Sequence, residues 1–150
     1  MASRRPPARV LTNLLVACVR EHDWDRPPPG AQDLLTAVDQ DRLLLLADRH
    51  RVVPAVGLSL RHCDGVRTDV RERLDAMRRS VAARQMLLEF ELSRVGSTFR
   101  DLSWLIIKGP ALANGFYVRP ELRHYTDLDV LVPATLLREA LGLLQAGGYE

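Results

Sequence analysis

The stretch "LIIKGPALANGFYVRPELRHYTDLDVLV", residues 105–132, decides the fold of the last third of the chain. Together with Trp104, its opening "LII" is a short apolar run rich in β-branched and aromatic residues, which suits a buried strand. Gly109 and Pro110 punctuate it, and "ALANGFY" follows as a short helix with Pro110 at its first position, where a missing N–H costs little. The turn-rich "VRPELRHYT" leads to a second strand, "DLDVLV", residues 127–132. A helix from about Ala134 to Ala146 ends at the pair Gly147–Gly148, a common helix stop. Residues 101–150 therefore read strand, helix, strand, helix.

The second strand carries the candidate chemistry. Alternate residues of a strand share a face, so Asp127 and Asp129 lie side by side. Two neighbouring carboxylates are an unfavourable pair unless a positive charge stands between them. Mg²⁺, which takes hard oxygen ligands and commonly combines one or two carboxylates with phosphate oxygens, suits that position. Strand, glycine turn, helix and acid-bearing strand put Gly109 opposite the acids, where N–H groups at a helix start can meet a phosphate. Lys108 precedes this glycine, and it is the single lysine among 21 basic residues.

Residues 1–100 read as helical. In "VLTNLLVACV", residues 10–19, the positions Leu11, Leu14, Leu15 and Cys18 face inward; the run is too short and too polar for a signal segment, although Arg4, Arg5 and Arg9 precede it and Arg20 and Glu21 close it. "DRPPPG", residues 25–30, is a break. A second helix is expected from about Gln32 to Arg51, after which Pro54 and Gly57 loosen the chain, and "HCDGVRTD" forms a turn. From about Asp69 to Arg100, Leu74, Met77, Val81, Leu88, Leu92, Val95 and Phe99 form one stripe of a long amphipathic helix. Met77 and Met86 are read as packing residues.

Composition excludes several classes. With 47% apolar and 27% charged residues the chain is a folding one, and its net charge of +2 arises from interleaved signs without a basic face for nucleic acid. Even "RERLDAMRRSVAAR" alternates its arginines with Glu72 and Asp75. Cys18 and Cys63 lack the spacing of a metal knuckle or redox pair and read as reduced, buried thiols, which fits a cytoplasmic protein. His22, His50, His62 and His124 show no ligand spacing. No segment approaches the roughly twenty apolar residues of a membrane span.

"IKGPALANGFY" with "LRHYTDLDVLV" and the closing "GGY" resembles an uncharacterised bacterial nucleotidyltransferase family of the polymerase-β-like superfamily. The resemblance implies an α+β protein: a helical region over residues 1–100, then the first half of a nucleotidyltransferase core over 101–150, with the chain as an N-terminal portion of the unit. It implies that Asp127 and Asp129 are catalytic, metal-binding acids for Mg²⁺, ordinarily two ions. Lys108, Gly109 and Arg123 correspond to the nucleotide- and phosphate-binding positions. The implied reaction transfers a nucleoside monophosphate from a nucleoside triphosphate such as ATP to an acceptor hydroxyl on a protein, peptide or small molecule, with release of pyrophosphate. Two departures accompany it. Pro110 stands where the superfamily usually has serine, and neither Glu139, in a helix, nor Glu150, after a turn, supplies the third acid on a strand. These departures motivate the alternative, a non-catalytic interaction or scaffold protein that keeps a decayed nucleotidyltransferase fold.

Overall fold

A computed structural model describes residues 8–20 and 23–150; Arg4, Arg5, Glu21 and His22 lie outside the described residues. The elements are α1 (Ala8–Val19), α2 (Ala31–Thr36), α3 (Gln40–Arg49), α4 (Val53–Leu60), α5 (Thr68–Thr98), β1 (Leu105–Ile107), α6 (Gly109–Phe116), a 3₁₀ turn at Pro120–Leu122, β2 (Asp129–Leu131), a 3₁₀ turn at Ala134–Leu136 and α7 (Leu137–Ala146). The protein is α+β, with two compact units at Met1–Val81 and Ala82–Glu150.

In the first unit α1 turns Leu11, Leu14 and Cys18 fully inward and Leu15 partly, as its spacing requires. The single helix expected over 32–51 is two helices. Asp39 adopts an extended backbone and its carboxylate accepts from the N–H groups of Asp41 and Arg42 at 3.1 and 3.2 Å, so it starts α3 and thereby ends α2. The loosened segment expected after Pro54 is instead the helix α4, buried along its whole length. Proline is tolerated in a first helical turn, and Gly57 admits the side chain of Arg78, which a Cβ there would meet at 2.3 Å. Leu35, Leu43, Leu44, Val56, Leu60 and Leu74 fill this core. Buried Gln40 is satisfied at both ends of its amide, by the Gly65 carbonyl at 2.8 Å and the Arg67 N–H at 3.0 Å.

The α5 stripe is real but divided. Leu74 and Met77 belong to the first core, whereas Val95 and Phe99 belong to a second, with Leu102, Trp104, Val132, Ala140, Leu144 and Tyr149. Met86, read as a packing residue, is 70% exposed and belongs to neither core. In the second unit Phe99 and Trp104 meet edge to face at 5.9 Å. Gly148, at φ 87°, ends α7 and lets the Tyr149 N–H reach the Leu144 carbonyl at 3.0 Å. The Tyr149 hydroxyl then donates to Glu91 at 2.7 Å, under the guanidinium of Arg94.

β1 and β2 pair antiparallel, with Leu105 opposite Leu131, Ile106 opposite Val130 and Ile107 opposite Asp129. Both strands are shorter than the apolar runs that contain them, so Trp104 and Asp127 flank the sheet. Among the described residues no helix is long and apolar enough to cross a membrane.

Candidate active site

An antiparallel pair brings the end of one strand beside the start of the next, and here that juxtaposition concentrates the polar residues. β1 ends at Ile107, level with Asp129, and Lys108 follows at φ 54° and ψ −134°. This is the backbone of the first central position in a type II′ turn, where glycine is ordinarily found. The turn reverses the chain into α6 and aims Lys108 back across the strand pair. Its Nζ lies 3.0 Å from Oδ2 of Asp129, with the two side chains 67% and 36% exposed. The Lys108 carbonyl accepts from the Leu112 N–H at 2.8 Å and so closes the first turn of α6.

Gly109 is buried, and its need for glycine is steric. A Cβ at this position would stand 3.3 Å from Cδ2 of Tyr125 and 3.4 Å from the carbonyl oxygen of Asp127. The loop that delivers the acids thus lies directly on the glycine. Pro110, also buried, occupies the first turn of α6 and accepts, through its carbonyl, a bond from Asn114 Nδ2 at 3.1 Å. By helix geometry the first N–H groups of α6 have no partner within the helix, and Pro110 removes one of them.

The five predicted site residues do not all enter in the same way. Lys108, Gly109 and Asp129 lie at one end of the sheet, and Asp127 joins them through its main-chain carbonyl beside Gly109. Arg123 contributes its main-chain carbonyl, which accepts from Gln85 Nε2 at 2.6 Å, while its Nε is buried without a hydrogen-bond partner. Asp127 is exposed and precedes β2, so the acid pair straddles the start of the strand. Among the described residues no group of three or more His, Cys, Asp or Glu side chains gathers in a way that could hold a metal ion. Glu139 sits exposed on α7.

Three further residues shape the site. Tyr125 is 4% exposed and packs on Gly109. Burial pushes its phenol up from the ordinary range, and the charge and hydrogen bond of Glu89 add to the effect. Gln85 and Glu89 both project from α5. The sequence did hold one signal: Gln85 falls on the apolar stripe between Val81 and Leu88, where a polar side chain needs a partner.

Residues 36–150 match the sequence profile of a family described as uncharacterised nucleotidyltransferase. The chain belongs to this nucleotidyltransferase family. The match takes in α3 to α7, and with them the whole Lys108–Asp129 end of the sheet. Neither the curated proteins nor the solved structures give a match. Within the nucleotidyltransferase frame, the antiparallel register accounts for the order of the motif: a glycine turn after one strand and acids at the start of the next must meet.

Proposed function

We propose that the Lys108–Asp129 end of the sheet performs Mg²⁺-dependent nucleotidyl transfer. The observation that carries this reading is the strained Lys108. A non-glycine residue in this region of φ and ψ costs on the order of 1–3 kcal/mol, and such cost is concentrated where a side chain has to be aimed. The aim is at a carboxylate 3.0 Å away, beside a helix start whose N–H groups favour anions.

Asp127 and Asp129 fit a hard cation. Both are carboxylates with solvent access, and Asp129 already compensates a positive charge, that of Lys108. Protein-held Mg²⁺ needs few protein oxygens when phosphate completes the shell. When bound, Mg²⁺ would neutralise phosphate charge and polarise the reacting oxygens. Lys108 serves the triphosphate as a compact, mobile charge, and Gly109 and Ala111 offer main-chain N–H groups. Arg123 has a charge to contribute once its guanidinium turns to phosphate. In the reaction the acceptor hydroxyl oxygen bonds to the α-phosphorus, the bond from that phosphorus to the bridging oxygen breaks, pyrophosphate leaves and the hydroxyl proton passes to water. The interleaved surface charge favours a protein, peptide or small-molecule acceptor over nucleic acid, and a cytoplasmic setting supplies the triphosphate.

The test is titration of the four ribonucleoside triphosphates, ATP first, with and without Mg²⁺, alongside Asp127→Asn and Asp129→Asn. Binding that requires Mg²⁺ and is lost in both variants supports the site; binding indifferent to both overturns it. Labelling with α-³²P nucleotide then separates transfer from binding alone. Pro110 in the first turn of α6 favours the second reading, a non-catalytic interaction or scaffold protein that keeps a decayed nucleotidyltransferase fold, which predicts no label on any acceptor.

A further inference from the structure

The five residues before β2 have no regular secondary structure, yet they carry Asp127 and contact Gly109. Something has to fix them. α5 provides two polar side chains one helical turn apart: Gln85, 7% exposed, donates to the Arg123 carbonyl at 2.6 Å, and the Glu89 carboxylate stands beside the Tyr125 phenol. The ring of Tyr125 then lies against Gly109, within 3.3 Å of where a Cβ would be. A leucine at position 85 would pack the stripe equally well, and a buried amide is unfavourable unless it is hydrogen-bonded. Gln85 therefore supplies direction to a loop that lacks its own.

We infer that Gln85, Glu89 and Tyr125 are positioning residues, a clamp from α5 that holds the 123–129 loop so that Asp127 and Asp129 face the Lys108–Gly109 turn. The clamp acts at two points on the loop: the main chain at Arg123 and the phenol at Tyr125. Its consequence for chemistry rests on the nucleotidyl-transfer reading; its geometry does not.

The experiment compares Gln85→Leu, Tyr125→Phe, Glu89→Ala and Glu89→Gln by amide hydrogen exchange, thermal unfolding and Mg²⁺·ATP titration. Gln85→Leu and Tyr125→Phe keep their helical signal and unfold near the wild-type temperature, while exchange across residues 123–129 accelerates about tenfold as local opening becomes easier. Glu89→Ala behaves like Tyr125→Phe, and Glu89→Gln, which keeps an acceptor oxygen, restores wild-type protection. Mg²⁺·ATP affinity falls in the same order as protection is lost. Unchanged exchange at 123–129 in Tyr125→Phe and Glu89→Ala overturns the clamp, and those two variants decide the matter even where Gln85→Leu fails to fold. A wild-type chain that binds no nucleotide removes the nucleotidyl-transfer reading, and the exchange data then still decide whether the clamp exists.

Discussion

The Lys108 ammonium reaches the Asp129 carboxylate, 3.0 Å away, across a register that sets Ile107 against Asp129. An exposed pair of this kind contributes only about 0–1 kcal/mol to stability, whereas the backbone at Lys108 is strained. Lys108→Gly is therefore expected to hold or raise stability, by about 1 kcal/mol, while weakening Mg²⁺·ATP binding about tenfold through loss of one charge-assisted contact. Urea unfolding and nucleotide titration on the same sample check this. A clear drop in stability would show that the side chain, and not its aim, is what the fold needs.

Gly109→Ala tests the steric contact. The new methyl group pushes on the Tyr125 ring and the Asp127 carbonyl, at 3.3 and 3.4 Å, and Tyr125 is buried and has little room to give way. The strain falls on the acid loop. Expected are a loss of about 1–2 kcal/mol in stability, typical of mild overpacking, and a larger proportional loss of nucleotide affinity. Equal affinity in the variant would falsify the claim that Gly109 sets the position of Asp127.

How much of this was legible without coordinates follows from the range of each interaction. The strand, turn, helix, strand order over 105–132 was readable because β-branched runs, glycine and proline act locally. The motif put Lys108 and Gly109 opposite Asp129, as the register does, but not Asp127 outside the strand, because the strand begins only at Asp129. The split between α2 and α3 turned on the Asp39 cap, a single side chain inside a leucine-rich run. α4 was hidden because Pro54 and Gly57 read as breakers, and only the packing of Arg78 against Gly57 shows why they are there. The partners of Gln85 and Tyr125 lie 38 and 36 residues away, at Arg123 and Glu89 respectively, and no local pattern announces them.

A third expectation concerns acid. Asp41 accepts from Arg67 at 2.9 Å and from Arg73 at 2.5 Å, and these bonds hold its carboxyl below the ordinary 3.8. A lowered folded-state pKa stabilises the fold above the unfolded value, and that contribution disappears as pH falls through the folded value. The thermal midpoint of the wild type should accordingly fall from roughly pH 4 downward, and Asp41→Asn should flatten that fall. Parallel pH profiles for the two proteins would assign the acid sensitivity elsewhere.

The thiols give a fourth. Cys18 is fully buried, with its thiol pushed up to about 12 by burial first and by the neighbouring Cys63 next, and Cys63 is raised by burial as well. Both stay protonated and shielded in the native chain, and the thiolate is the reactive form. Ellman's reagent at pH 8 should therefore react only as fast as the chain unfolds, then report both cysteines in denaturant. Rapid labelling in native buffer would contradict the burial.

α5 also sets an order of events. Its 31 residues are held by contacts four residues apart, which close quickly, whereas its bonds to Arg123 and Tyr149 join positions 38 and 58 residues apart. Distant contacts of this sort form after local ones because the intervening chain has to be closed first. The helix is thus expected to form before the acid loop docks on it, which makes the candidate site the later part of the fold to assemble. On the nucleotidyl-transfer reading, mild denaturant is therefore expected to abolish nucleotide affinity while the circular dichroism of the helices still looks native.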